Sequence, residues 1–310
     1  MDNFNQRVAI ITGGARGLGF AVAQTLAMEG AKVVIADNGC ALDGGPEDSV
    51  VADAAVERLD AKAPGCAIAF KHNLTAPGAA EACVALAKAT YGHVDIVINN
   101  AAITRDAPIF QSQVHDLEAV IANNLSAPLA LLAAATPVMR TQSGMGRRPG
   151  AIVNVISTAG LIGNPSQAAY AAAKAGMVGM TRCVAMDLRA NGIICNAVAP
   201  YAATRLTQAL PVTTEEEREY KEHAQRVPLS YAANFVAFLC TSHAARITGQ
   251  VFGVRAREIF LFTQPAPAMQ VFAEPGSFDP ELYTPLIHKM ADEFTDLRSE
   301  REIFNIKPVL

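Results

Sequence analysis

The chain has 310 residues, of which 51% are hydrophobic and 17% are charged, and its formal net charge is −4. This length provides one large domain with a full core or two small ones, and the apolar composition is typical of a buried parallel sheet covered by helices. The sequence has no basic stripe and no lysine cluster, so we expect neither a nucleic acid nor a membrane as a partner.

The chain opens with a strand, a glycine-rich turn, a helix and a second strand. Residues 8–11 are a β-branched run, residues 20–29 have a helical pattern, and residues 32–36 form an apolar strand. Glycines in such a turn let the backbone approach a pyrophosphate closely, and the helix N-terminus stabilises its negative charge. We therefore predict a dinucleotide site at this turn, formed by Gly13, Arg16, Gly17, Leu18 and Gly19.

Asp37 follows the second strand and bears on the choice of cofactor. A carboxylate at this position accepts hydrogen bonds from a ribose diol and repels a 2′-phosphate. No Arg or Lys follows within the next several residues to neutralise such a phosphate. The sequence therefore predicts NAD rather than NADP, and Arg16 is the one basic side chain that weakens this prediction.

The third strand is expected at residues 67–71, after a glycine-rich loop at 38–48 and a helix at 49–63. Asn73, at the end of that strand, either faces the adenine ring or caps the helix that begins near Pro77. We include Asn73 and the following Leu74 among the cofactor-binding residues.

A helix at 79–91 and a fourth strand at 94–98 lead to Asn99-Asn100-Ala101-Ala102. The small side chains leave room for a flat cofactor, and the amides can bond backbone across the sheet, so we assign Asn100 and Ala101 to the cofactor site. The next predicted helix, 114–140, contains Asn123-Asn124 among apolar residues. A polar pair there costs stability unless it is satisfied, which indicates a buried hydrogen-bond or water site. Residues 141–149, with Arg147-Arg148, read as an exposed, solvated loop.

The strongest candidate for chemistry is a pair of side chains on the helix predicted at 166–189. Tyr170 and Lys174 are four residues apart, so both leave the same helix face. The ammonium lowers the pKa of the phenol, which gives a proton donor and acceptor near neutral pH. Ser157 follows a strand at 151–156 and can hold a substrate oxygen beside that phenol. Taken alone, the Tyr–Lys spacing is equally typical of an ordinary helical pair.

The C-terminal part continues the alternation and then changes character. We predict a strand at 193–199, a mobile flap or plain solvated helix at 206–227 with the acidic run 215–217, a helix at 231–241, and a last strand at 251–254 that can continue to residue 262. The alternation predicts an α/β fold with a doubly wound parallel sheet (a Rossmann fold) in a single domain, 1–264. Prolines and a charged helix at 286–298 mark residues 265–310 as a C-terminal extension that packs on the domain or on a partner subunit.

The six cysteines form no CxxC pair and lie near no His cluster. We therefore expect reduced thiols and no metal site. The polar N-terminus shows no signal-peptide pattern, so the expected location is cytoplasmic.

The combined motifs identify residues 5–254 as resembling the short-chain dehydrogenase/reductase family. They are Thr12-Gly13-x-x-x-Gly17-x-Gly19, Asn99-Asn100-Ala101, Asn124, Ser157 and Tyr170-xxx-Lys174, in that order. A narrower similarity, to the hydroxyacyl-CoA dehydrogenase part of peroxisomal multifunctional enzymes and related bacterial dehydrogenases, rests on Asp37 with its Gly-rich loop, Gly163-Asn164-x-x-Gln167-x-x-Tyr170, and Cys195-Asn196-Ala197-Val198-Ala199-Pro200 followed by Arg205-Leu206-Thr207.

The resemblance implies a mechanism that agrees with the residues. Tyr170 takes the alcohol proton while a hydride leaves the carbinol carbon for the nicotinamide, and Ser157 orients the substrate oxygen. Lys174 holds the nicotinamide ribose and lowers the tyrosine pKa, and Asn124 binds a water that relays the proton to solvent. Pro200 joins the cofactor site, and relatives imply a homodimer or homotetramer.

Three departures from the family pattern stand out. Asn73 occupies a position where Asp is commoner, Tyr201 replaces a frequent Gly, and Val254 is followed by Arg255-Ala256-Arg257 instead of Asp-Gly-Gly. Since the usual ending helps to form the subunit interface in relatives, the oligomer geometry is not predicted.

The favoured function is an NAD-dependent oxidoreductase that interconverts a small-molecule secondary alcohol and a ketone, with a 3-hydroxyacyl thioester as one candidate substrate. One alternative is an NADPH-dependent ketoreductase of fatty-acid or polyketide type, which Asp37 disfavours. Another is a catalytically silent dinucleotide-sensing protein, which the complete set of Ser157, Tyr170 and Lys174 disfavours.

Overall fold

Eight strands form one sheet in the computed structural model, which describes residues 4–203, 215–272, 280–295, 297, 298 and 303. The spatial order is β3-β2-β1-β4-β5-β6-β7-β8, and all neighbours are parallel except β7 and β8. The strands are β1 (Val8–Thr12), β2 (Lys32–Ala36), β3 (Ala67–Phe70), β4 (Ile96–Asn99), β5 (Ala151–Val155), β6 (Ile194–Tyr201), β7 (Val251–Arg255) and β8 (Glu258–Phe262).

The strand order reverses between β1 and β4, which are hydrogen-bonded neighbours although two strands separate them in sequence. From β1 the chain first winds outward through β2 and β3, and then returns to build β4 to β7 on the other side. In open α/β sheets, ligands bind at the carboxyl ends of the strands beside this reversal. The prediction of a doubly wound sheet is therefore confirmed, and its topology places the candidate site at the ends of β1 and β4.

Helices cover both faces of the sheet, and each face has its own core. One core includes Leu26 of the first helix, and the other includes Leu131 and Met177 from helices on the opposite face. The central strands are buried on both sides because side chains alternate between the two faces, so they read as continuous apolar runs. The helices are α1 (Gly17–Met28), α2 (Val50–Asp60), α3 (Ala79–Tyr91), α4 (Val114–Ile121), α5 (Ala127–Gly144), α6 (Ala159–Ile162), α7 (Ala168–Asp187), α8 (Glu215–Arg226), α9 (Leu229–Phe238) and α10 (Pro280–Met290).

The helix predicted at 114–140 is interrupted by a π turn, Ala122–Ser126, between α4 and α5. Within it, the N–H of Ala127 donates to the carbonyl of Ala122, five residues back. Pro128 lacks the N–H that would bond the Asn124 carbonyl in a regular α-helix, which gives a physical reason for the change in winding. By length and composition, Val114–Gly144 is apolar enough to cross a membrane, and core helices of the kind that α5 forms pass the same test.

Arg147 is held in an ion pair and α5 runs to Gly144, which corrects the prediction of an exposed, solvated loop at 141–149. Its Nε and Nη2 donate to the two oxygens of Asp95 at 2.6 and 2.8 Å, and it also donates to the Gln6 carbonyl. Asp95 is 1% exposed; it also accepts from the Val8 N–H, and Arg7 Nη1 lies 4.0 Å away. The hydrogen bonds to Asp95 raise the pKa of Arg147, whereas burial lowers the pKa of Arg7. This cluster clamps the amino end of the sheet.

The last strand does not run on to residue 262, which corrects a second expectation. β7 and β8 form an antiparallel hairpin, and Ala256 in its turn has a positive φ of 52°. The helix predicted at 286–298 is found earlier, as α10. Of the segment predicted as a flap at 206–227, residues 206–214 lie outside the described residues, and α8 forms a helix in the remainder.

Candidate active site

The glycine turn between β1 and α1 is tight on its inner side and open on its outer side. A Cβ at Gly19 would lie 2.1 Å from the Gly13 carbonyl oxygen, so only glycine permits this approach of helix to turn. Gly17 has a φ of +54°, and a Cβ there would meet nothing within 4 Å. The free space lies at the N-terminus of α1, where N–H groups favour an anion. This geometry fits the pyrophosphate of a dinucleotide, with Leu18 buried behind the turn.

The ends of β1 and β4 are joined by hydrogen bonds through Thr12 and Asn100. The Asn100 amide donates to the carbonyls of Thr12 at 2.9 Å and Gly13 at 3.1 Å, across the sheet as the sequence predicts. The Thr12 hydroxyl accepts from the N–H groups of Asn100 and Ala101. Asn100 and Ala101 therefore hold the shape of the glycine turn, whether or not they also touch a cofactor.

Asp37 lies at the end of β2 with its carboxylate directed at the same turn. One oxygen accepts from the Ala15 N–H at 3.0 Å and the other from the Gly39 N–H at 2.8 Å. Arg16 lies 3.9 Å from this carboxylate and donates to the Cys40 carbonyl at 2.8 Å. The carboxylate is thus fixed in place, and Arg16 is directed toward the loop after β2.

Asn73 forms a local turn instead of capping a helix. Its side-chain oxygen accepts from the N–H and the hydroxyl of Thr75, whereas α3 begins only after Gly78. The helix-capping alternative is therefore wrong, and the adenine contact stays a prediction. Leu74 packs against the core beneath α3, and Pro200 lies near the end of β6, paired with Val254.

Tyr170 and Lys174 lie on the same face of α7, and both are buried. The Lys174 Nζ is 5.8 Å from the centre of the Tyr170 ring. It donates to the Val155 carbonyl at 2.8 Å and contacts the Met177 sulfur at 3.7 Å. Burial lowers the pKa of Lys174 to about 8. At neutral pH the ammonium is therefore still charged, and its charge favours the phenolate form of Tyr170.

Ser157 follows β5 and is carried next to α7 by close helix packing. Its hydroxyl accepts from the Ala159 N–H at 3.2 Å as α6 begins. A Cβ at Gly160 would lie 2.6 Å from backbone atoms of Lys174 and Ala175, so the backbones of α6 and α7 touch here. The serine and the Tyr–Lys pair therefore belong to one packed unit.

Asn124 is fully buried in the π turn, and its side chain clamps the segment after β4. The amide oxygen accepts from the Ile103 N–H at 2.9 Å, and the amide nitrogen donates to the Ile103 carbonyl at 2.8 Å. The sequence prediction of a buried hydrogen-bond site is confirmed. Both polar atoms of the Asn124 side chain therefore bond Ile103, and the binding of a water by Asn124 stays a prediction.

An open cleft lies beside Tyr170, and Arg105, Asp106 and Gln167 are among the residues that line it. Sequence reasoning did not single out its polar lining from the segment after β4, where Asp106 accepts from the Gln167 amide at 2.7 Å and Arg105 bonds Asp116 at 2.7 Å. Arg105 and Asp106 lie four and five residues beyond the Asn99-Asn100-Ala101 motif, and this position is the only sequence signal. Within the described residues, no group of three or more His, Cys, Asp or Glu side chains is placed to hold a metal ion.

Comparison with known proteins extends these observations to most of the chain. Residues 7–217 match a family described as short chain dehydrogenase. The chain is 35% identical over 256 residues to the 3-oxoacyl-(acyl-carrier-protein) reductase of Synechocystis sp., covering 82% of this chain and 97% of the relative. It is 36% identical over 257 residues to 3-oxoacyl-(acyl-carrier-protein) reductase FabG of Escherichia coli, covering 81% of this chain and 97% of the relative.

A similar solved structure is a short chain dehydrogenase from Mycobacterium avium, with a TM-score of 0.81 and 31% identity over 94% of this chain and 97% of that one. The matched 94% of the chain is longer than residues 1–264, so the match also includes part of the C-terminal extension. The narrower resemblance to peroxisomal hydroxyacyl-CoA dehydrogenases stays a prediction. Fold, family match and relatives agree: the chain belongs to the short-chain dehydrogenase/reductase family and is an oxidoreductase that acts on CH–OH groups with a nicotinamide dinucleotide.

Proposed function

We propose that this chain interconverts a secondary alcohol and a ketone with NAD, and that Tyr170 is its general acid and base. The observation that carries the proposal is the buried ammonium of Lys174, 5.8 Å from the Tyr170 ring on the same helix face. Among the described residues its hydrogen-bond partners are a carbonyl and a thioether, not a carboxylate. Its charge is therefore available to stabilise a phenolate.

The proton moves between the substrate and Tyr170. In the oxidative direction the phenolate accepts the alcohol proton, and in the reductive direction the phenol returns it to the carbonyl oxygen. Ser157 donates a hydrogen bond to the same oxygen and so holds it beside the phenol. The nicotinamide, when bound, supplies the hydride acceptor or donor.

Asn124 completes the path of the proton to solvent through its backbone carbonyl. The α-helical partner of that carbonyl would be the N–H of residue 128, and Pro128 has none. A carbonyl freed in this way is a suitable acceptor for a water that links Lys174 to bulk solvent. The π turn is thus given a role, in agreement with the frequent use of such turns at functional sites.

The cofactor residues we propose lie in the glycine turn and at the ends of the neighbouring strands. We assign Gly13, Gly17, Leu18 and Gly19 to the pyrophosphate. Gly17 borders the open space at the N-terminus of α1, Gly13 and Gly19 let the turn pack closely against Asn100 and Ala101, and Leu18 is buried behind it. Asn73, Leu74 and Pro200 are assigned to the adenine and nicotinamide ends, and Lys174 to the nicotinamide ribose.

NAD is preferred over NADP because of the fixed carboxylate of Asp37. Its oxygens retain lone pairs for a ribose diol, and its charge opposes a 2′-phosphate. Arg16 is bonded to the Cys40 carbonyl, so neutralising a phosphate would require it to leave that bond.

The substrate class we propose is a 3-hydroxyacyl or 3-oxoacyl thioester. Two relatives with about 35% identity are named as 3-oxoacyl-(acyl-carrier-protein) reductases. The same names support a second candidate, an NADPH-dependent ketoreductase of fatty-acid type, in which Arg16 would override Asp37. We further propose a homodimer or homotetramer in the cytoplasm, with neither nucleic acid nor membrane as a partner.

The test is a fluorescence titration of the purified protein with NADH and with NADPH, followed by assays with secondary alcohols and 3-hydroxyacyl thioesters. We expect tighter binding of NADH and a loss of about tenfold or more in Asp37→Asn, since a charged hydrogen bond contributes about 1.5–3 kcal/mol. Asp43→Asn, in the same loop, is the matched control and should bind NADH normally. Tighter binding of NADPH would favour the second candidate, and binding of neither would contradict both.

A further inference from the structure

A line of buried polar side chains runs beneath α7, apart from the groups assigned to the reaction. Asn99 at the end of β4, Asn154 in β5 and Thr181 in α7 are each 0–1% exposed. The Asn99 amide donates to the Asn154 oxygen at 2.9 Å, and the Asn154 amide donates to the Thr181 hydroxyl at 2.9 Å. We call these three residues the polar track.

The direction of every hydrogen bond in the polar track is set. The Thr181 hydroxyl gives its one proton to the Met177 carbonyl at 2.7 Å, so it must accept from the Asn154 nitrogen. The Asn154 oxygen therefore faces Asn99 and accepts from its amide. The other acceptor near the Asn154 amide is the Cys195 sulfur at 3.6 Å, which is a weak one. Loss of the Thr181 hydroxyl would therefore leave a buried N–H without an adequate partner.

The polar track and Lys174 fasten α7 to two adjacent residues of β5. Lys174 donates to the Val155 carbonyl, and Asn154, the preceding residue, donates to Thr181. Lys174 and Thr181 are seven residues apart, about two helical turns, so they lie on one face of the helix. Met177 lies between them, with its carbonyl bonded to Thr181 and its sulfur against the lysine.

Two attachment points on one face fix both the rotation of a helix and its position along its axis. The packing of α7 against α6 at Gly160 holds the helix near Lys174, and the Thr181 attachment adds a second fixed point two turns further on. We infer that Thr181 and Asn154 are positioning residues for the reaction, which set the place of Lys174 relative to Tyr170 through the register of α7 on β5. This inference rests on the proposed role of the Tyr–Lys pair.

The experiment compares Thr181→Val, Thr181→Ser and Met180→Ala with the wild-type protein. Val has nearly the shape of Thr but no hydroxyl, Ser restores the hydroxyl, and Met180→Ala opens a cavity on the same helix without touching the polar track. In Thr181→Val we expect kcat to fall about tenfold, within the hundredfold that a 1 Å misplacement can cost. The pH at which alcohol oxidation is half-maximal should rise, because a displaced ammonium lowers the Tyr170 pKa less.

The inference is supported if Thr181→Ser restores kcat and the wild-type pH profile. It also requires that Met180→Ala lowers stability but leaves the pH profile unshifted. A pH profile in Thr181→Val that coincides with that of the wild type would overturn it.

A second readout does not depend on turnover. The protein is prepared with ¹³C-labelled lysine and followed by NMR, and the Lys174 resonance is assigned by its loss in Lys174→Met. In the wild-type protein this resonance should titrate near 8. We expect a higher pKa in Thr181→Val, since a loosened helix admits water to the ammonium. An unchanged Lys174 pKa in Thr181→Val overturns the inference even if no substrate is ever found. A shifted Lys174 pKa in the variant of a protein that shows no activity would contradict only the proposed function.

Discussion

Two charges are buried at opposite ends of the same sheet, and they are held in different ways. At the amino end, the Asp95 carboxylate is met by Arg147 with two hydrogen bonds, by the Val8 N–H and by Arg7 at 4.0 Å. At the carboxyl end, the Lys174 ammonium contacts a carbonyl and a sulfur.

The difference indicates what each charge does. Asp95 is saturated by charged and neutral donors, so its field is cancelled locally and the cluster serves to hold elements together. Lys174 has only neutral partners among the described residues, so burial lowers its pKa and its field reaches the neighbouring phenol. The first arrangement stabilises the fold, whereas the second costs stability and provides chemistry.

The sharpest test of this contrast is removal of the phenol that the Lys174 charge is proposed to activate. In Tyr170→Phe we expect turnover to fall about a thousandfold, since positioned acid–base groups contribute roughly 10²–10⁴-fold. The melting temperature should change little. Tyr91→Phe, which removes a remote phenol on α3, is the control and should leave turnover unchanged. Retained turnover in Tyr170→Phe would refute the proposed mechanism.

At the amino end we expect the opposite pattern. Asp95→Asn leaves two arginines without their counter-charge and should lower the free energy of unfolding by about 3–5 kcal/mol. The folded fraction should keep its kcat. Asp53→Asn breaks the exposed pair with Lys71 and should cost less than about 1 kcal/mol in urea unfolding. Equal losses in the two variants would mean that the cluster is not a clamp.

A smaller effect is expected in the pH dependence of stability. Lys174 titrates near 8 in the folded chain and near 10.5 when unfolded, so between these values the unfolded chain binds more protons and folding stability rises with pH. Relative to Lys174→Met, the wild-type protein should gain up to about 3 kcal/mol across this window.

The buried thiols of Cys83, Cys195 and Cys240 have raised pKa values, so their ionisation makes folding stability fall as the pH rises. This contribution is the same in the wild type and in Lys174→Met, and it cancels in the difference between them. A flat difference between wild type and Lys174→Met would show that Lys174 is not buried as a cation.

Much of the fold could be predicted because local patterns determine it. Apolar runs bounded by glycine and loop residues located the parallel strands, and the turn after β1 marked the dinucleotide-binding end. The hairpin of β7 and β8 was not predicted because its turn contains Ala256 with a positive φ. Glycine, Asn or Asp at this position would have indicated a turn, whereas alanine does not. The π turn was missed because its cause, Pro128, is also an ordinary residue for a helix start.

The candidate site was predictable where a motif carries the chemistry and hidden where partners meet across the chain. Tyr170 and Lys174 are four residues apart and visible in the sequence. Asp95 and Arg147 are separated by 52 residues, and Asn154 and Thr181 by 27, so nothing local signals either pair. Sequence reasoning therefore placed Arg147 in solvent and gave Thr181 no role.

The backbone contact at Gly160 has a consequence for how this enzyme can change. Since α6 and α7 touch without intervening side chains, substitutions there have no space in which to act. Any side chain larger than glycine at position 160 would push α6 away from α7 and move Ser157 relative to Tyr170 and Lys174. A new substrate preference must arise in the segments around that unit, such as the stretch after β4 that lines the cleft. A directed-evolution library should therefore vary these loops and keep the sequences of α6 and α7 unchanged.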